Sequence, residues 1–360
     1  MTISHSIAAA LCVLGSLTGA AHGSNINGEA SFISFKVPAA LDTYPMAVNS
    51  SMTVTGYYLV TNNEAHGFIR TADGTIDTFR VAGAVWTQPE SINAAGDITG
   101  FYESTTEAPG KQTQGFLRYA DGRIITFDPP PQAGNAPAGF PISINDFDVI
   151  VGTVFNANST SYGFTRSREG VFSPPISFGN ATVATAINSS GSVVGYAGSF
   201  PPIGFVAHPD GYHFAFTVSP PSSAACTAAT FPETINAEGT IAGWYSALCP
   251  PYERGGFVRS PEGVVSVYQL PGAIAENYVA INEVGDVTGA YTDTAGAQHG
   301  FVRNPYGTIT TFDPPEGIAH ATIITQPTSI NDAGAITGFY GQAGFTGFIR
   351  VPLTGTSTQQ

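Results

Sequence analysis

Glu90 and Glu233 stand in matching contexts, Gln-Pro-Glu-Ser-Ile-Asn from Gln88 and Phe-Pro-Glu-Thr-Ile-Asn from Phe231. Two carboxyl groups facing one another over a pocket can divide the work of general acid and general base, one of them kept protonated by burial or repulsion. Solvated or Arg-paired structural carboxylates are the plainer reading of the same pair. The proline of this context recurs four residues before an asparagine as Pro45, Pro89, Pro141, Pro232 and Pro327, preceded by Tyr44, Gln88, Phe140, Phe231 and Gln326. Aromatic faces stack on the apolar faces of sugars, and amides both give and accept hydrogen bonds, so this set suits a sugar or a peptide. Trp86 belongs to the same neighbourhood, and these six are the candidate ligand-binding residues. Packing between neighbouring units is their alternative role. The chain carries no HExxH, CxxC, Walker, dinucleotide-glycine or GxSxG pattern, and its histidines lack metal-ligand spacing, so no metal and no cofactor is expected. Asp146 and Asp148 resemble only a fragment of a calcium loop.

What positions these residues is a repeat. A segment of the form INxxGxIxG occurs seven times, with its asparagine at 49, 93, 145, 188, 236, 282 and 331, an average period of about 47 residues. Each copy is followed by a Gly-Phe pair, at Gly67, Gly115, Gly163, Gly204, Gly256, Gly300 and Gly347, and six of the seven place Arg two residues after the Phe. An arginine so regular marks construction, as an ion-pair or backbone donor, and the seven asparagines read as turn formers. Each unit reads as four short strands, a to d. The NxxG turn joins a to b, with Gly free to take positive φ, and a DG or EG turn joins c to d. Helices are not supported: only six Leu follow residue 23, and Gly, Pro or β-branched residues interrupt every helical window. Asp128 and Asp313, in Thr-Phe-Asp-Pro-Pro contexts, are expected to end strand d.

After Arg350 the seventh unit stops without a strand d, whereas Phe32 to Pro38 resembles Thr308 to Pro314 and precedes the first unit. The expectation is an all-β, seven-bladed β-propeller of four-stranded blades, its last blade closed by the N-terminal strand. The expected organisation is a signal peptide at 1–23, a short extension at 24–31, one propeller domain at 32–350 and a tail at 351–360. The repeated INxxGxIxGxY followed by His66-Gly67-Phe68 or His299-Gly300-Phe301 resembles the secreted bacterial HAF-type extracellular repeats. That resemblance implies a location and a fold, and no chemistry.

With 12 Lys+Arg against 26 Asp+Glu and a formal net charge of −14, the chain offers no basic stripe for nucleic acid or anionic membrane. The stretch Ile7–Leu17 has the length of a signal-peptide core and is too short to span a bilayer, so a secreted, extracellular or periplasmic monomer without a membrane span is expected. Cys226 and Cys249 lie symmetrically about the turn at Asn236–Gly239, and export allows them to form a disulfide.

Strand order sorts the connections onto two faces. The a-b and c-d turns are short and uniform. The b-c and d-a connections, such as Glu103 to Gln114 and Pro314 to Thr325, are long and differ between units. Variable loops on a uniform scaffold are where binding residues usually sit. The leading expectation is a module recognising an extracellular glycan or protein through the d-a/b-c face. A glycan-directed hydrolase or lyase using Glu90 and Glu233 at the channel mouth is the alternative, and a structural surface protein the third. Whether there is catalysis stays open at this stage.

Overall fold

A computed structural model of the chain folds each repeat into short β-strands, with no α-helix among the described residues. The structure describes residues 30–104, 113–128, 130, 138–156, 159–179, 181–221, 226–315, 324–342 and 344–353. The expected signal segment and most of the connections Glu103 to Gln114 and Pro314 to Thr325 lie outside these residues.

In each repeat strands a, b and c pair antiparallel in sequence order, as do Thr43–Val48, Val54–Thr61 and Glu64–Arg70 in the first. Strand d adds to the outer edge, as Ile76–Phe79 does there. The third repeat departs from the expected four strands. Its sheet holds Ala138–Ile144, Ile150–Phe155 and Ser161–Arg166, while strand d is reduced to single bridges from Gly163 to Ile176 and from Arg166 to Phe172. Pro174 and Pro175 lie between those bridges and have no N–H with which to continue a ladder.

Head and tail of the chain meet. The strand Ala30–Phe35 pairs antiparallel with Thr346–Pro352, strand c of the seventh repeat, with Ser31 opposite Val351 and Phe35 opposite Gly347. It begins two residues before the expected Phe32. Each strand a also packs beside the strand a of the next repeat, and that of the seventh, Ile324–Ile330, packs beside that of the first.

The repeated asparagines do more than form turns. Each Oδ1 accepts the backbone N–H four residues on, as from Thr53, Asp97 and Ala335. Each Nδ2 donates to the backbone carbonyl of the next repeat's asparagine at 2.9–3.4 Å, from Asn49 to Asn93 and onward to Asn331, which returns the bond to Asn49. The sequence alone showed the turn, and the lateral bond needs the neighbouring repeat.

The seven Phe of the Gly-Phe pairs are fully buried. The arginines after them act between repeats through rings: Arg118 lies over Phe79, Arg166 over Phe127, Arg303 over Tyr268 and Arg350 over Phe312, each on strand d of the preceding repeat. Arg70 makes the same contact to Phe35 at the head-to-tail junction. Five of them donate to the carbonyl of the following residue, so the expected backbone role is present, with a ring in place of the expected carboxylate. Cys226 and Cys249 form a disulfide with their Cα atoms 5.9 Å apart. A disulfide suits an oxidising compartment, and among the described residues no helix is long and apolar enough to cross a membrane.

Candidate functional site

Proline cannot donate to a ladder, and in every repeat strand a breaks register at or beside that position, between Pro45 and Ala47, Pro89 and Ser91, and Pro232 and Thr234 among others. The carbonyl of the residue before the proline presses on strand b. A Cβ on Gly100 would lie 2.0 Å from the Gln88 carbonyl oxygen and one on Gly56 2.0 Å from that of Tyr44, which is why strand b needs its glycine. The extra residue of the bulge turns toward the next repeat: Thr185 Oγ1 donates to Pro232 O at 2.9 Å and Thr328 Oγ1 to Pro45 O at 3.0 Å. Glu90 and Glu233 occupy this bulge position in repeats two and five.

Each glutamate has its own partners. Trp86 Nε1 donates to Gln88 Oε1 at 2.8 Å, and Gln88 Nε2 donates to Glu90 Oε1 at 2.6 Å. In repeat five Trp244 Nε1 donates to Glu233 Oε1 at 3.0 Å, and the indole stacks on Phe231 at 3.8 Å. Both carboxyl groups keep some solvent contact yet are densely surrounded by protein, so their ionised forms are poorly hydrated. Burial pushes Glu90 up to about 8 against the pull of the Gln88 bond, and Glu233 up to about 7 against that of Trp244. Tyr196, whose ring meets Phe231 edge-on at 5.1 Å, is raised to about 12 by burial and then by the charge of Glu233. A carboxyl with a pKa near neutrality can give or take a proton at physiological pH. No hydrogen bond joins Glu90 to Glu233, so each forms a separate centre.

The aromatic candidates pack between repeats. Tyr44 stacks on Tyr57 at 4.7 Å and meets Phe339 of the seventh repeat edge-on at 5.0 Å. Tyr57 in turn lies 5.8 Å from Trp86. Phe140 packs edge-on against Phe101 of the second repeat, and Phe231 against Tyr196 of the fourth. Burial comes first and Asp42 second in holding the Tyr44 hydroxyl well above its ordinary range. Gln88 and Gln326 are buried, and Gln326 Oε1 accepts from Gln298 Nε2 at 2.6 Å. The strand-b aromatics Tyr57, Tyr196 and Trp244 belong to this group and escaped the sequence reading. Their signal was the position after the glycine of IxGx, which faces the residue before the proline across the bulge.

A second cluster also went unassembled. His299 Nδ1 lies 2.7 Å from Asp313 Oδ2 and Nε2 3.3 Å from Asp293 Oδ2, and Thr325 Oγ1 donates to Asp313 Oδ1 at 2.7 Å. The Asp313 hydrogen bond is the main cause of a raised His299 pKa. Asp313 thus ties strand c of repeat six to strand a of repeat seven, beyond ending strand d. Asp128 accepts from Gln114 in the equivalent place of repeat two. Asp148 accepts from Asn93 Nδ2 at 2.9 Å and pairs with Arg168 at 3.4 Å. Among the described residues no group of acidic, His or Cys side chains has the arrangement of a metal site.

Two clefts lie away from the strand-a cluster. One of about 620 Å³, lined by Tyr252, Glu253, Arg254, Gln269 and Ile274, opens on the b-c/d-a face beside repeats five and six. The other, about 300 Å³, opens on the opposite face between repeats six and seven.

No protein-family model matches the chain, and no curated protein matches it in sequence. Its fold has solved counterparts of β-propeller type. The chain is similar to virginiamycin B lyase from Staphylococcus aureus, at 13% identity with a TM-score of 0.57 over 89% of this chain and 98% of the lyase. A catalytically inactive variant of that lyase with quinupristin gives 14% and 0.58 over 90% and 99%. A puromycin-hydrolysing peptidase from Mycobacterium tuberculosis gives 10% and 0.60 over 89% of this chain and 54% of the peptidase. At such identities the likeness concerns the fold alone.

Proposed function

We propose that this protein is a secreted, monomeric seven-bladed propeller of the HAF-repeat type that recognises an extracellular glycan or protein through its b-c/d-a face. One observation carries the reading. At two places around the ring, Tyr57-Trp86-Gln88-Glu90 and Tyr196-Phe231-Trp244-Glu233, aromatic faces adjoin a hydrogen-bonding carboxyl group. Aromatic surface beside a fixed donor or acceptor is what a sugar ring requires. The net charge of −14 turns the choice of ligand away from polyanions.

A glycan array probed with the full chain tests the proposal. Binding to a defined glycan that falls about tenfold or more in Trp244→Ala supports it. Absence of binding to glycans and to extracellular proteins refutes it. The second reading, a glycan-directed hydrolase or lyase, is favoured by the two raised carboxyls. Product release from a bound glycan, lost in Glu90→Gln or Glu233→Gln while binding persists, would decide for the enzyme.

A further inference from the structure

The head-to-tail junction leaves one arginine unlike its counterparts. Arg70, Arg118, Arg166, Arg259 and Arg303 each donate Nη1 to the following carbonyl at 3.1–3.3 Å. Each also lies beneath the glycine of its own c-d turn, at Gly74, Gly122, Gly170, Gly263 and Gly307. In the seventh repeat strand c is paired by the strand from the other end of the described chain, so no c-d turn covers Arg350. Among the described residues Arg350 has no hydrogen-bond acceptor and no carboxylate partner. Its Nε is shut off from solvent and unsatisfied, as are those of Arg118, Arg166 and Arg303, and at 7% exposure it is as buried as Arg166; what sets it apart is the missing acceptor for its Nη groups, which leaves the Phe312 ring at 5.0 Å as its one contact of note. A guanidinium keeps its charge under such conditions, and an unpaired buried charge is costly.

The 300 Å³ cleft is where that residue is lined up with others. The sixth repeat contributes Asp286, Asn304, Thr308 and Thr310, and the seventh contributes Asp332 beside Arg350. Asp332 Oδ1 accepts the Glu283 N–H at 3.0 Å and Asp286 Oδ2 accepts Asn282 Nδ2 at 3.3 Å, so each carboxylate keeps its second oxygen for another donor. One unpaired cation and two carboxylates therefore share a small cleft without forming an ion pair with one another. A simple anion would meet the arginine and be repelled by the aspartates, and a simple cation would meet the reverse. A ligand carrying both charges satisfies all three groups. The volume lies at the small end for ligand pockets.

We infer that the cleft between repeats six and seven binds a small zwitterion of the α-amino-acid class, its carboxylate on Arg350 and its ammonium toward Asp286 and Asp332. The site lies on the short-turn face, apart from the proposed glycan surface, and stands or falls separately from it.

The test is calorimetric titration of the full chain with a panel of free protein amino acids, each beside its decarboxylated amine and its deaminated acid. At least one amino acid is expected to bind, with its amine and its acid about tenfold weaker or more. Arg350→Met is expected to abolish binding, and Arg118→Met, the equivalent arginine under a closed turn, to leave it unchanged. Because Arg350→Met also removes a ring contact, Asp332→Asn at an exposed position gives a second reading on a variant whose folding is not at stake, and about tenfold weaker binding is expected. No binding by any amino acid overturns the inference. So does equal binding of the deaminated acid, unchanged binding in folded Arg350→Met, or density for the chain's own flanking segment filling the cleft.

Discussion

Glu90 and Glu233 are held as acids that ionise near neutrality, and the sign of their effect on stability follows. Their folded pKa values, about 8 and about 7, lie above the 4.5 of an unperturbed glutamate. The folded protein then retains protons that the unfolded chain has lost, and stability from these groups is full below pH 4.5 and is lost as pH rises through 7 to 8. His299, also raised, loses its contribution in the same direction as it deprotonates. The thermal midpoint is therefore expected to fall between about pH 5 and 8.5, and the double variant Glu90→Gln/Glu233→Gln to flatten most of that slope. Melting curves across that range check it, and a slope unchanged in the double variant would contradict it. Both glutamates were legible in the sequence because they share one position in the repeat. Their partners were not: Trp244 reaches Glu233 only through a cross-strand register that a bulge has shifted by one residue, and periodicity does not reveal bulges.

Strand a with its bulge is the element that aims those side chains, and it depends on a glycine in its neighbour. Gly100→Ala sets a methyl group against the Gln88 carbonyl, whose residue orients Glu90, so the bulge must shift. A loss of about 2–4 kcal/mol is expected in urea unfolding, together with a fall in the Glu90 pKa as packing loosens. The asparagine turns make a cleaner probe. Asn188→Asp keeps the oxygen that accepts the Ser192 N–H and loses the nitrogen that donates to Asn236 O. It should cost about 1–3 kcal/mol, against less than about 0.5 kcal/mol for Ser189→Ala one residue away. Turn, hairpin and strand order could all be read from NxxG and DG signatures, since these are local. The lateral Asn bond and the Arg-ring contacts join residues roughly one repeat apart, which only the assembled sheets bring together.

At the scale of the whole molecule, three kinds of inter-repeat contact that run along the chain recur between repeats seven and one: Asn331 to Asn49, Thr328 to Pro45, Arg70 over Phe35. The missing strand of the last repeat announced this in the sequence, because a lone β segment at one end matched the gap at the other. The loop conformations were not announced, and neither was the cleft that the missing c-d turn leaves beside Arg350. Removing residues 1–29, which precede the closing strand, against removing residues 1–37, which takes the strand with them, tests the account most directly through thermal and urea unfolding. The shorter deletion should unfold like the full chain. The longer one strips Thr346–Pro352 of its outer partner and exposes Phe68, Phe312 and Phe348, which Phe35 and Phe32 cover, and its midpoint should drop by about 5 °C or more, on the order of 3–5 kcal/mol at this size. Equal midpoints for the two deletions would contradict a ring closed by its own N-terminal strand.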